Sequence, residues 1–336
     1  MRRDLTSPPR ARRRALRAAV ALAAATAALA GGAAAKPGAP PPDFSRLPAA
    51  APSPDAAPRS LAAAAAMVAV PAGAYPIGRD DGPSDEAPRH MVRLGAFEID
   101  RTEVTNAAFA EYLNALALDV RGDFAAGLRG LDAAAGADLA LLREGGRGDA
   151  LYPIIALDDD EARIDRRGGR FLARPGHERR PVAETTWAGA RAYGAWRGAR
   201  LPSEADWEAA ARGPDGRLHP WGAAAPTDAT AFVSGRTGAT AIVGARPAGA
   251  SPFGALDMSG SMAEWTASLK RPYPYDAADG REAPDAPGER VTRGGDHRFD
   301  TAPETLTATH RDGFSNAPER GHRHIGFRCA RSAPAG

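Results

Sequence analysis

What most constrains the fold is how little of the chain is periodic. Three segments read as helices, and all are short. "EVTNAAFAEYLNAL" has Thr105 as its N-cap and spaces Phe109, Tyr112, Leu113 and Leu116 along one stripe. "ETTWAGARAYGAWRG" carries Trp187, Ala190, Tyr193 and Trp196 at near-helical intervals, with Gly198 as its stop. "LPSEADWEAAARG" is the most fully punctuated: Ser203 caps it, Asp206 completes a capping box and Gly213 ends it. From Pro214 onward, glycine and proline cut the apolar residues into short runs, so loops and short strands are expected there. Residues 119–180 are weakly periodic and read as an insertion between helices. It is expected to be partly helical around Leu128 to Arg143 and to end in a hairpin at "RIDRRGGRFLA".

The chain has 336 residues, 43% of them apolar and 25% charged, an ordinary globular balance with ample length for a core. Its first 35 residues do not belong to that core. Seven arginines precede an apolar run from Ala18 to Ala30, and the alanines at 33–35 offer a small-residue cleavage site. This is the layout of a secretory signal peptide, too short and alanine-rich for a membrane span. "RRRALR", Arg12 to Arg17, is similar to a twin-arginine export signal; a merely basic leader is the alternative. The expected location is periplasmic or secreted, with no transmembrane span left after cleavage. Residues 36–66, with eight prolines and eleven alanines, read as a disordered linker. One folded domain is expected over 67–331, followed by a tail at 332–336.

The leader also distorts the charge. The whole chain carries 43 basic and 41 acidic residues; without the seven arginines and Asp4 of the leader, 36 and 40 remain, a net charge of −4. No basic footprint for nucleic acid survives.

"DMSGSMAEWTAS", Asp257 to Ser268, sets two carboxylates seven positions apart around a Ser-Gly-Ser turn, with a tryptophan beside the second. A strand would put Asp257 and Glu264 on opposite faces, and a helix would space them differently. The stretch reads as a loop folded around something, or as an acid-capped turn with Trp265 in the core.

Seven segments, in order, resemble the sulfatase-modifying-factor family, whose best-known member is the formylglycine-generating enzyme. They are "MVAVPAGAYPIG", "EIDRTEVTNAAFAEYL", "RPVAETTWAGARAYGAWRGARLPSEADWEAAARG", "HPWG", "FGALDMSGSMAEWT", "RVTRGGD" and "HIGFRCAR". The resemblance covers Met67 to Arg331. It implies a compact α+β single domain with little regular secondary structure, the formylglycine-generating-enzyme fold, related to C-type lectins.

The same resemblance implies a structural calcium ion in the loop. Its ligands would be the side chains of Asp257 and Glu264 and the carbonyls of Gly260 and Met262, an oxygen set suited to Ca²⁺. A second calcium site of relatives is expected to be lost, since no carboxylate lies between Phe232 and Ala255. The copper site is expected to be lost as well. Active relatives hold copper(I) on two cysteines five apart, soft ligands for a soft ion. Here Phe299 and Glu304 fall at those positions, and the only cysteine is Cys329, expected to be a buried free thiol.

What remains at the site is polar: Asp296, His297, Arg298, His310 and Arg311 are expected to line the ligand groove, with Asp312, His322 and His324 close by. The resemblance therefore implies an exported, calcium-stabilised binding or accessory module of the cell envelope that has lost the copper-thiolate oxidase site. Its ligand would be an unidentified peptide or small molecule. The alternative is a cysteine-independent oxidoreductase or maturation enzyme acting on a periplasmic small molecule or peptide, as in a relative implicated in pyoverdine maturation. Its candidate catalytic residues would be His297 or Glu304 as general base and Arg311 as anion clamp. A purely structural partner in an envelope complex is the third reading. Arg293 and Arg328 are expected to brace the fold through buried acids, with Glu103 and Glu208 as plausible partners.

Overall fold

The computed structural model describes residues 66–115, 154–157, 159–235, 238–312 and 320–333. The leader, most of the linker and the helix expected around Leu128 to Arg143 lie outside the described residues.

The three expected helices form where their caps allow. α1, Asn106–Ala115, starts as the Ala108 amide donates to the Thr105 hydroxyl at 3.3 Å, and it buries Phe109, Tyr112 and Leu113. Leu116 lies outside the described residues. In α2, Trp187–Trp196, the Gly189 amide donates to the Thr186 hydroxyl at 2.9 Å. α3, Glu204–Arg212, has the full capping box between Ser203 and Asp206 and ends at Gly213. All nine residues of α3 are buried. A nine-residue helix is marginal alone, so tertiary packing supplies its stability.

Eleven strands, none longer than seven residues, make four small sheets among the described residues. β1 (Met67–Val70) pairs antiparallel with β4 (Phe97–Asp100), which also pairs with β11 (Ala330–Ser332). Both ends of the domain thus meet on one central strand. β2 (Gly73–Ile77) and β3 (His90–Leu94) form a hairpin. β5 (Ile164–Arg167) and β6 (Arg170–Ala173) form the hairpin expected at the end of the insertion.

The fourth sheet has the order β10-β7-β8-β9: Ile325–Gly326, Ala263–Leu269, Arg290–Arg293 and Arg311–Asp312. β7 grows directly out of the Asp257 loop. It pairs parallel with β10 and antiparallel with β8, with a register shift between Trp265 and Leu269. Six of its seven residues are buried although apolar and polar side chains alternate along it, so Glu264, Thr266 and Ser268 find their partners inside the fold.

Aromatic rings fill the core between α1 and α2. Phe109 stacks on Tyr193 at 5.6 Å, and Phe327 meets both edge-on. Trp187, Trp207 and Trp265 are each no more than 1% exposed. Two of their indole N–H groups donate to backbone oxygens, Trp187 to Thr266 and Trp265 to Thr185. No helix among the described residues is long and apolar enough to cross a membrane.

Candidate functional site

The Asp257 loop closes through a left-handed backbone. Asp257, Gly260 and Ser261 have φ of 59°, 71° and 62°. At Gly260 a Cβ would sit 2.6 Å from the Phe232 carbonyl, so glycine is required there on two counts. Its amide donates to Gly294 O at 2.9 Å, stitching the loop to the start of the next one. Met262 is fully buried.

Glu264 is fully buried, and its carboxylate receives a two-pronged bond from Arg328 at 2.6 and 2.7 Å plus the Trp207 indole N–H at 2.9 Å. Arg328 also donates to Leu256 O and Asp100 O, which satisfies its fork. Asp257 accepts the Gly244 amide at 2.5 Å.

Beside them lies Glu103, 2% exposed, with both carboxylate oxygens buried and unbonded. The Ser261 hydroxyl eases its charge slightly, without hydrogen-bonding geometry to either oxygen. Burial, then the charges of Asp257 and Glu264, push the Glu103 carboxyl well above its ordinary range. Three carboxylates therefore share one arginine. Of the two acids expected as partners, Glu103 bonds neither arginine, and Arg328 is held by Glu264. Glu208 does meet Arg293, at 2.5 Å.

The segment from Asp296 to Asp312 is shaped by Asp296 itself. Fully buried, it accepts the amides of Arg298 and Phe299 at 2.5 and 2.6 Å. Burial raises its pKa despite these bonds. His297 points inward, 2% exposed, its Nδ1 paired with the Ser234 hydroxyl at 2.7 Å and its ring stacked on Phe232. Burial lowers its pKa to about 4, so it is neutral at ordinary pH. Arg298 reaches Glu161 at 3.4 Å. Glu304 is exposed.

Arg311 lies in the interior. Its guanidinium forks onto Glu204, donates to Asp85 O and Arg271 O, and covers the Tyr273 ring at 3.9 Å. Four of its five N–H donors are engaged inside the fold, and its side chain is almost wholly buried, out of reach of a groove ligand. The expected role as ligand clamp is corrected: Arg311 braces α3 against β9.

A polar cleft of about 340 Å³ does lie beside this segment, with a different lining. Phe299, Glu184, Asp159, Arg323, His322 and His324 form its walls. Phe299 is half exposed and meets His324 edge-on at 4.9 Å. His322 and His324 come within 6.0 Å of each other, ring to ring. His324 has its pKa lowered to about 3 by burial and by its histidine neighbour. The expected residues Asp296, His297, Arg298, His310 and Arg311 are not among those that line it, whereas His322 and His324 are. Glu184 went unnoticed in the sequence. It is buried yet left-handed (φ 60°), a backbone state that carries no composition signal in "PVAETTW". A larger depression of about 410 Å³, walled by Trp187, Arg191, Leu201 and Pro284, contains two acids that are already bonded. Asp206 is held in the capping box, and Glu282 by Ser268 and Tyr275.

Small sheets joined by long ordered loops, an acid-rich loop feeding a buried strand, and a histidine-lined cleft define an α+β domain of the formylglycine-generating-enzyme fold. Residues 52–333 match the sulfatase-modifying factor enzyme 1-like domain, and the chain belongs to that family, as a member with a single cysteine. It is 33% identical to the formylglycine-generating enzyme of Streptomyces coelicolor, over 85% of this chain and 94% of that one. It is 30% identical to the inactive C-alpha-formylglycine-generating enzyme 2 of Mus musculus, over 80% and 86%. It is 32% identical to the serine/threonine-protein kinase pkn1 of Chlamydia pneumoniae, over 79% of this chain but only 38% of the kinase, so it spans about two fifths of that relative's length. Among solved structures, PvdO from Pseudomonas aeruginosa shares the fold, with a TM-score of 0.51, 24% identity and coverage of 80% and 94%.

Proposed function

We propose that this chain is a copper-independent binding or accessory module of the cell envelope, whose histidine-lined cleft takes a peptide or small polar molecule. One observation carries the reading. Where active relatives are expected to place two copper-binding thiolates, this chain has the half-exposed ring of Phe299 and the exposed carboxylate of Glu304. The only sulfhydryl, Cys329, is fully buried, and burial and the Asp100 carboxylate push its thiol up, so it supplies no thiolate. That one relative bears the name of an inactive enzyme fits the same reading.

The domain is held by calcium in the Asp257 loop. The surplus of negative charge around Glu103, Asp257 and Glu264, with two buried oxygens left unbonded, supports a cation there. Asp257 and Glu264 would hold it with the carbonyls of Gly260 and Met262, and the ion would supply structural charge compensation, not chemistry. The leader directs export, with cleavage near Ala35.

A second reading, cysteine-independent oxidation or maturation of a small molecule, is favoured by Glu184. A buried left-handed carboxylate on a cleft wall is the kind of strained residue that gathers at active sites.

The decisive assay incubates the mature protein with a Cys-x-Pro-x-Arg peptide, oxygen and copper(I). No aldehyde is expected; its appearance, by mass spectrometry, would sink the reading. A displayed peptide library should be enriched selectively by the wild type and not by Arg323→Glu, and equal enrichment by both removes the cleft as the binding surface. Intact mass of the envelope fraction should lack residues 1–35.

A further inference from the structure

β9 alternates, and its alternation separates two chemistries. Arg311 turns one way, into Glu204. Asp312, the next residue of the strand, therefore faces the opposite side of the sheet, and His310 stands just before the strand in a turn closed by its amide on Thr307 O. The strand is fixed in register, since Asp312 is the cross-strand partner of Thr292 and its carbonyl accepts the Thr292 hydroxyl. Onto that opposite side the Asp296 turn delivers Asp300. Gly295 (φ 65°) permits this approach, for a Cβ there would lie 2.5 Å from Thr305 O and 3.2 Å from Asp300 O. The result is a cluster of one imidazole and two carboxylates whose ligand atoms all lie within 4.8 Å of one another.

The imidazole has no other task on its Nε2. That atom is withdrawn from solvent and makes no hydrogen bond, and it faces Asp300 Oδ2 at 3.9 Å, too far for one. A shared proton would draw the two atoms to about 2.8 Å. Ligands of a first-row ion, bound at about 2.0–2.2 Å, lie no more than about 4.4 Å apart, so small side-chain rotations bring these three onto one centre.

We propose that Asp300, His310 and Asp312 form a binding site for a divalent transition cation of the zinc, manganese or iron(II) class. Two hard oxygens with one borderline nitrogen suit those ions and not copper(I), which needs soft sulfur. Three protein ligands leave coordination positions open for water or for an oxygen of a bound molecule. Those positions adjoin the cleft: Phe299, the residue before Asp300, lines it, and His324 on its wall feels the Asp300 charge. The site stands on its own ligand geometry and does not depend on the cleft being a binding surface.

The test uses the mature protein in saturating calcium, so that the Asp257 loop does not compete, with Co²⁺ as a spectroscopic probe. One equivalent should bind, with d–d absorption bands that Zn²⁺ abolishes by displacement. His310→Ala and Asp312→Asn should each weaken binding by at least the roughly 10- to 100-fold that loss of an outer-shell partner costs. Asp257→Asn should bind Co²⁺ like the wild type. The proposal fails if the wild type shows no saturable binding, if a folded His310→Ala binds as tightly, or if Asp257→Asn is the variant that loses the bands. Should His310→Ala not fold by its melting curve, Asp300→Asn, in a partly exposed loop, takes its place under the same criteria.

Discussion

Buried histidines are the residues whose state this fold decides most sharply. His297 and His324 sit at about 4 and about 3 because burial disfavours their charged form. In the unfolded chain both take up protons near pH 6.5. Their stabilising effect is therefore complete above about pH 6.5 and is lost as pH falls toward the folded values, at about 1.4 kcal/mol per pH unit for each. Glu103 works in the opposite sense: its raised pKa costs stability at high pH, and that cost is relieved as pH falls. Comparing variants at constant calcium isolates the histidines. The melting temperature of the wild type should fall more steeply between about pH 6.5 and 4.5 than that of His324→Phe. Parallel profiles would show that His324 is not held neutral.

At the scale of elements, α3 is the piece on which the others are mounted. Glu204 and Glu208, one turn apart, are both fully buried. Glu204 takes Arg311 from β9 and Arg293 from β8, and Glu208 takes Arg293 and Arg212, the Gly78 amide and the Tyr273 hydroxyl. Removing one member of such a network leaves an uncompensated buried charge, which costs about 3–5 kcal/mol. Arg311→Met should lower the urea midpoint accordingly, and Glu204→Gln with Arg311→Met should recover part of the loss. If Arg311→Met unfolds at the wild-type midpoint, Arg311 is not a brace. The capping box of α3 was readable from "LPSEADWE" because a cap is a contact between residues three apart. The destination of the helix's two acids was not, since their partners lie from four to 130 residues away.

The described domain is assembled from short elements that cannot stand alone, so its loops carry more of its stability than in a regular fold. If calcium compensates the acids around Glu103, a concentration 100 times its dissociation constant contributes about 2.7 kcal/mol. For a domain of this size that corresponds to a melting shift of about 5–11 °C. Chelation should produce it, and Asp257→Asn should abolish the response. Identical melts with calcium and chelator would falsify the calcium assignment.

Much of this was legible before any coordinates. Helix starts, the β5–β6 hairpin, the isolated cysteine and the family motifs are local patterns, set by capping, turn chemistry and residue identity over a few positions. The two carboxylates of the Asp257 loop were legible for the same reason. What the chain order does not encode is which side of a two-residue strand a side chain takes once neighbouring layers compete for it. "HRD" at 310–312 shows this in three letters. Tertiary packing sent Arg311 inward to Glu204 and brought His310 and Asp312 close to Asp300: a pleated strand turns Arg311 and Asp312 to opposite faces, the turn before it sets His310, and only the assembled sheet decides which face is the core.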